Sequence, residues 1–107
     1  MPRRPVYTLS FAPQAIKHLD YIQPKYHGLL RRTINEQLAH HPTVQTQNRK
    51  PLDQPAPFAA SWELRCGPGN RFRVFYDVDE GSPAVNILAV GVKDRNRLLI
   101  RGEEYQP

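Results

Sequence analysis

The chain contains almost no cysteine. Cys66 stands alone, which excludes an internal disulfide and a cysteine-based metal cluster and favours a reducing compartment. No segment approaches the roughly 20 apolar residues of a membrane-spanning helix. The basic N-terminus is not followed by an apolar run of signal-peptide length. We therefore expect a soluble, cytoplasmic protein that does not enter a membrane.

Several motifs of enzyme active sites are also missing. The sequence has no nucleophile elbow and no phosphate-binding glycine loop, and Gly67-Pro68-Gly69 has the pattern of a turn. His18 and His27 lie on separate predicted helices, and His40-His41 are adjacent, so none has a partner at metal-ligand spacing. We expect surface histidines, no metal and no cofactor.

What the chain does have is positive charge, and most of it comes from arginine. The 107 residues carry a net charge of +5, and the eleven arginines far outnumber the four lysines. Arginine favours bidentate contacts to phosphate or carboxylate, although a GC-rich genome would produce the same bias. A net positive charge is compatible with binding to nucleic acid, to an acidic protein or to an anionic surface, and it does not distinguish among these partners. The length predicts one domain, residues 1–107.

Two helices are predicted in the first half, after a short strand over Tyr7 to Phe11. Apolar residues at helical spacing mark the first helix, which Pro24 ends: Ala12, Ala15, Ile16, Leu19 and Ile22. A second stripe marks the second helix: Tyr26, Leu29, Leu30, Ile34 and Leu38. The two segments are expected to form a helical hairpin.

The second half of the sequence predicts a small sheet. Residues 42–60 form a long, proline-rich loop with little predicted regular structure, a kind of loop that is often functional. Alternating residues then predict strands over 62–66 and 71–78, joined by a glycine-rich turn. The strand 85–92 should be central, with Val85, Ile87 and Ala89 on one face. A short element at Leu98 to Ile100 and a tail, 102–107, follow.

The element order is therefore β-α-α-β-β-β. This predicts an α+β fold in which the helical hairpin packs on one face of a small, mostly antiparallel sheet. Alternation turns one set of side chains toward the helices: Trp62, Leu64, Phe72, Val74 and Tyr76. The open face receives Glu63, Arg65, Arg73 and Phe75. Cys66 lies on the helix side, where a buried thiol that packs like a small hydrophobe is expected.

Arg65 and Arg73 should be cross-strand neighbours on the open face, about 5 Å apart. Two arginines at that separation repel unless an anion joins them. Either the pair binds an external anion, or Arg65 forms an ordinary ion pair with Asp77 or Glu63 worth about 0–1 kcal/mol.

More cations lie near this pair in sequence. Lys93 and Arg95 leave the sheet close to the expected position of Arg73, and Arg71 precedes it. We expect these three residues and Arg97 to extend a phosphate- or RNA-binding surface, although Arg97 and Arg101, taken individually, are more typical of a solvated loop. Lys50, in the long loop, is either a phosphate-binding or proton-transfer lysine or simply solvated.

The ordered combination of KPL (50–52), WELRCGPGNRFRVFYDV (62–78) and ILAVGVKDRNRL (87–98) resembles the RelE/ParE superfamily of bacterial toxins from toxin–antitoxin operons. The resemblance covers nearly the whole chain, from the first strand to about Gly102. It implies a small basic toxin that a cognate acidic antitoxin neutralises.

For RelE-like members the resemblance implies metal-independent cleavage of mRNA in the ribosomal A site, by attack of a ribose 2′-hydroxyl on the adjacent phosphate. Arg73 matches the phosphate-stabilising arginine, and Lys93 or Arg95 falls where a second arginine is found. Lys50 falls where some members place a general base, and Glu63 is a second candidate base. Such chemistry needs a base, cations for the phosphorane and an acid for the leaving oxygen.

The chain departs from the RelE pattern at two places. Glu63 stands where a lysine is usual, and Leu98-Leu99-Ile100 replaces an expected tyrosine or histidine, with Tyr105 past that place. A non-catalytic toxin of the ParE type, which binds DNA gyrase, or a relic that binds only its antitoxin, is therefore the main alternative. A plain RNA-binding module is a third, although Phe75 alone would be a small stacking platform.

Overall fold

The computed structural model describes residues 6–106 and has the predicted α+β architecture, with two helices packed on a mostly antiparallel sheet. The elements in chain order are β1 (Thr8–Phe11), α1 (Pro13–Leu19), α2 (His27–Leu38), β2 (Arg49–Pro51), β3 (Trp62–Cys66), β4 (Phe72–Asp79), β5 (Ala84–Asp94), β6 (Arg97–Ile100) and β7 (Glu103–Glu104). Strand β2, within the predicted 42–60 loop, and strand β7, within the predicted 102–107 tail, were not expected. The basic residues at 1–5 and Pro107 lie outside the described residues.

The central strand β5 has different partners along one edge. β1 runs parallel to its first half, with Thr8 opposite Ala84 and Phe11 opposite Ile87. β6 runs antiparallel to its end, beginning at Val92. On its other edge β5 pairs with β4, and the sheet continues through β3 to β2. β5 thus connects the N-terminal strand to the C-terminal hairpin.

Side chains of α1 complete the edge of β5 between those two partners. The backbone N–H of Val90 donates to Nδ1 of His18 at 3.2 Å, and Nε2 of Gln14 donates to the carbonyl of Leu88 at 3.2 Å. Buried backbone groups require such partners. His18 is only 1% exposed, so the expectation that it lies on the surface is wrong.

The stripe predicted for α2 is confirmed except at Leu29, which is 37% exposed, and the stripe predicted for α1 is corrected. Leu30, Ile34 and Leu38 of α2 are buried against the sheet. α1 ends at Leu19, one turn before Pro24, and Ile16 on this helix is 55% exposed. A helix of seven residues presents only a narrow inward stripe, and His18 takes part of it.

A β-bulge in β5 changes the predicted alternation. Phe75 of β4 lies opposite Ala89, while Tyr76 lies opposite Ile87, so Leu88 is the extra residue. Ala89 is therefore turned away from the helices, and Val90 faces them together with Ile87. The grouping of Ala89 with Ile87 was wrong, because a bulge reverses the phase of every later side chain.

The face away from the helices is partly covered by a second, small core. Ala60, Phe75, Ala89 and Ile100 are buried there, with Leu52 packed against them. Phe75 is 2% exposed, so it is not the exposed aromatic that the alternation suggested. The loop between β2 and β3 crosses this part of the face, and only the neighbouring charged part remains open.

Strand β2 is fixed to the end of α2 by a buried arginine. Arg49 is 5% exposed, and its guanidinium donates to the carbonyls of Val44 and Gln37 at 2.8 Å each. Because side chains alternate along a strand, these bonds turn the next residue, Lys50, toward the opposite face. The segment thereby brings a lysine to the charged part of the sheet.

Candidate functional site

Four charged side chains meet on the sheet face that points away from the helices. The β3–β4 register places Arg65 opposite Arg73, as predicted, and the β2–β3 register places Lys50 opposite Glu63. Oε2 of Glu63 lies 3.3 Å from Nε of Arg65 and 3.7 Å from Nζ of Lys50. Its Oε1 lies 3.7 Å from a terminal guanidinium nitrogen of Arg73. We call Lys50, Glu63, Arg65 and Arg73 the Glu63 cluster.

Local sequence explains how three strands converge on this cluster. Glu63 and Arg65 are two residues apart on β3 and so share a face. The turn into β4 needs left-handed backbone, which Gly67 adopts at φ 81° and Asn70 at φ 54°. Nε of Arg73 donates to the carbonyl of Asn70 at 3.2 Å, which orients the guanidinium against the turn.

The cluster is closed at its base and open at its rim. The side chains of Glu63 and Arg73 are 9% and 13% exposed, whereas those of Arg65 and Lys50 are 36% and 46% exposed. Burial lowers the pKa of Arg73; the neighbouring Glu63 opposes that effect and Arg65 adds to it. A guanidinium nevertheless stays protonated in proteins. Arg73 therefore does not project freely into solvent, as alternation alone suggested, but lies mostly covered and charged.

Glu63 joins the two arginines that the sequence placed side by side. The Arg65–Glu63 ion pair is one of the alternatives left open by the sequence. Asp77 instead accepts hydrogen bonds from the backbone N–H and hydroxyl of Ser61, at 2.8 Å each. Three cations around one carboxylate leave a surplus of two positive charges. The cluster can thus accept a further anion at its exposed rim.

The remaining predicted cations divide among three places. Gly91 lies opposite Arg73, so Lys93, two residues along β5, is on the same face. Arg95 is exposed in the β5–β6 turn, and Arg97 pairs with Asp94 at 3.4 Å across that turn. Arg71 lines a cleft on the helix side, away from the cluster. Of these four, Lys93 alone shares the face of the cluster.

The C-terminal strand is apolar where the resemblance implies a tyrosine or histidine. Ile100 is buried in the second core, and Leu98 and Tyr105 pack against that core. The ring of Tyr105 stacks on Phe58, with centroids 6.4 Å apart. Among the contacts within residues 6–106, none joins Tyr105 to the Glu63 cluster.

Cys66 does not belong to the cluster. It is buried in the helix-side core, as predicted, and that burial raises the pKa of its thiol to about 11. Across residues 6–106, no three His, Cys, Asp or Glu side chains gather into a metal-binding group. No helix in this described part is long and apolar enough to cross a membrane.

Two solved structures, a RelBE2 toxin–antitoxin complex and a RelE toxin, contain chains with a similar fold. A chain of the toxin–antitoxin complex RelBE2 from Mycobacterium tuberculosis aligns with a TM-score of 0.69 at 22% identity, covering 87% of this chain and 98% of that one. The isolated E. coli RelE toxin aligns with a TM-score of 0.59 at 19% identity, covering 84% and 87%. No protein-family profile and no curated protein sequence matches. The structural matches confirm the RelE/ParE-like fold that the sequence resemblance implied.

Proposed function

We propose that the chain is the toxin of a toxin–antitoxin pair and that it cleaves mRNA on the ribosome through the Glu63 cluster. The observation that carries this proposal is the convergence of Lys50, Arg65 and Arg73 around one carboxylate, on a RelE-like fold, with surplus positive charge at the rim. A phosphodiester is the anion that such a surface suits best, because arginine forks match its oxygens.

In this reaction the ribose 2′-hydroxyl loses its proton to water as its oxygen forms a bond to phosphorus, while the bond from phosphorus to the 5′-oxygen breaks and the 5′-oxygen takes up a proton. The products are a 2′,3′-cyclic phosphate end and a 5′-hydroxyl end. Arg73 and Arg65 would stabilise the extra negative charge of the phosphorane, a role in which one preorganised donor is typically worth about 10²–10³ in rate. Lys93 would contact a neighbouring phosphate from the same face.

Exposure separates the two candidate proton-transfer residues. Glu63 is 9% exposed and both of its oxygens already contact cations, whereas Lys50 is 46% exposed at the rim. We therefore assign proton transfer to Lys50, whose ammonium group would donate the proton to the leaving 5′-oxygen. Glu63 is a positioning residue that holds the three cations in one place.

The test is cleavage of a defined message by purified ribosomes and protein. Arg73→Ala should reduce the rate at least about 100-fold, and Arg73→Lys should restore part of it, because a lysine keeps the charge without the fork. Arg32→Ala, at an exposed position on α2, is the matched control. Products must carry cyclic phosphate and 5′-hydroxyl ends; equal cleavage by Arg73→Ala would remove this residue from the mechanism.

A second candidate is supported by the apolar C-terminal strand. With Ile100 buried and no contact from Tyr105 among those described, the chain lacks the additional ionisable group that the resemblance implies. A non-catalytic toxin that binds DNA gyrase, or a relic that only binds its antitoxin, would need no such group. Inducible expression with metabolic labelling distinguishes the two candidate functions. Loss of protein synthesis supports the nuclease, and loss of DNA replication supports the gyrase-binding toxin.

The proposed partner is an acidic, partly disordered antitoxin. Surplus cations at the Glu63 cluster and the short outer strands β2 and β7 suit a segment that adds a strand or lays a helix over the site. The RelBE2 match is a toxin–antitoxin complex, which supports the same kind of partner here. Co-expression with an acidic neighbouring open reading frame should restore growth if the pairing is correct.

A further inference from the structure

A second cationic site lies on the helix side of the sheet, apart from the Glu63 cluster. It is a cleft of about 400 Å³ between the end of α1, the turn at Pro24–Tyr26, the start of β4 and the β6–β7 turn. That volume is within the usual range for small-ligand sites, about 300–1,000 Å³. None of its lining residues belongs to the cluster, because the cleft opens on the opposite face.

Positive charge in the cleft is not neutralised by the protein itself. Lys25, Arg71 and Arg101 line it, and no Asp or Glu does. Among the ion pairs within residues 6–106, none involves these three cations. His18, also in the lining, has its pKa lowered first by burial and then by repulsion from Arg101, so the field of Arg101 reaches into the cleft. A single anion bound there would relieve this repulsion.

Aromatic rings stand beside those cations. Nζ of Lys25 lies 5.1 Å from the ring centroid of Tyr26. Tyr21, which is 55% exposed, also lines the cleft and lies against Gly102 of the β6–β7 turn. An exposed ring next to free cations is the pairing that binds a base and its phosphate together.

The backbone fixes Arg101 at this position. Arg101 and Gly102 both have positive φ, 59° and 74°, in the two-residue turn that joins β6 to β7. Asn and Gly are the residues that favour such a turn, and an arginine there is uncommon. The chain thus has a cation in the lining of the cleft at a turn position where Asn, Asp or Gly would be favoured.

We propose that this cleft binds a nucleoside monophosphate unit, with the phosphate on Arg71 and Arg101 and the base on the ring of Tyr21. The unit could be a free nucleotide or one residue of single-stranded RNA. If the unit belongs to single-stranded RNA, the inference rests on the proposed function. The cleft would then provide a contact for the mRNA outside the Glu63 cluster.

The direct test is isothermal titration of the purified chain with AMP, adenosine and inorganic phosphate. Arg101→Asn removes the charge and keeps a residue that tolerates positive φ, and it should weaken AMP binding at least about tenfold. Arg32→Asn on the outer side of α2 removes one charge elsewhere and should leave AMP binding unchanged. Tyr21→Leu should weaken AMP binding while leaving phosphate binding unaltered.

Competition identifies the source of the ligand. Displacement of AMP by a short single-stranded RNA supports a strand-binding role, and AMP binding without such displacement supports a free nucleotide. Equal AMP affinity in Arg101→Asn and Arg32→Asn would overturn the proposal, as would equally tight binding of adenosine or of an oligoglutamate peptide. Because binding is read without cleavage, a failure here is distinct from an inactive Glu63 cluster, which the Arg73→Ala assay reports.

Discussion

Replacing Glu63 by glutamine should destabilise the protein and make its stability depend on anions. Glutamine keeps the shape of the side chain and removes the charge that joins three cations. Arg65 and Lys50 are exposed enough that each pair contributes about 0–1 kcal/mol. The Arg73–Glu63 pair is mostly covered. Removing one partner of a fully buried pair costs about 3–5 kcal/mol; because this pair is incompletely buried and its atoms are 3.7 Å apart, we take a loss of about 2 kcal/mol.

The total loss is therefore about 2–4 kcal/mol. For a domain of this size, 1 kcal/mol corresponds to a shift in Tm of about 4–8 °C, so Glu63→Gln should unfold roughly 8–32 °C below wild type. The uncovered cations should then bind sulfate in place of the missing carboxylate. An anion at 100 times its Kd returns about 2.7 kcal/mol, which would restore most of the loss.

Thermal unfolding followed by far-UV circular dichroism provides the assay, in sodium sulfate and in sodium chloride at equal ionic strength. Glu36→Gln, at an exposed position on α2, is the matched control and should match wild type in both salts. The reasoning is refuted if Glu63→Gln melts with wild type, or if sulfate raises the Tm of the variant no more than that of wild type.

Three further predictions concern residues outside the cluster. Because the pKa of His18 is lowered from 6.5, the folded state binds the proton less readily than the unfolded chain, so the free energy of unfolding should fall as pH drops below about 6.5. His18→Asn, which keeps an acceptor for the Val90 N–H, should flatten that dependence in denaturant titrations. Burial raises the pKa of Cys66 to about 11, so at pH 8 this thiol should react with a thiol reagent far more slowly in the folded protein than in the unfolded protein. Equal reaction rates in the two states would contradict its burial. Gly67→Ala should lower the free energy of unfolding by more than about 1 kcal/mol, because φ is 81° and the added methyl would meet the ring of Phe72. Gly28→Ala, in α2 with open space around it, should instead raise it by about 0.5–1 kcal/mol, and the opposite order would be inconsistent with this backbone.

The features that sequence predicted well are local. The β3–β4 hairpin follows from alternation on both sides of a glycine-rich turn, and that same alternation placed Arg65 opposite Arg73. The helix-side core of β3 and β4 follows from it too. Each of these inferences needs only residues within a few positions of one another.

The features that were missed depend on distant partners. The bulge at Leu88 carries no strong local signal, and it decides which way Ala89 points. Phe75 looked exposed because the loop that covers it cannot be located from its own sequence. The helical spacing of His18 is compatible with a buried position. Its burial, however, depends on the stretch of β5 between its partners β1 and β6, and only the assembled sheet reveals that stretch.

Part of the Glu63 cluster was foreseeable and part was not. An Arg65–Glu63 pair was one of the alternatives that the sequence left open, and the two residues share a strand. Lys50 could not be placed, because β2 is three residues long and its pairing with β3 depends on the buried guanidinium of Arg49. The long loop was expected to be functional, and what it contributes to the cluster is this one side chain.

The parallel pairing of β1 with β5 constrains how the chain can be made. Thr8 emerges from a ribosome early, yet its partner Ala84 is translated only after most of the chain has been synthesised. Contacts so far apart in sequence close slowly, and the nascent N-terminal strand must wait unpaired. A polypeptide that ends before β5 would lack the pairing partner of both β1 and β4, so its helix-side core could not close.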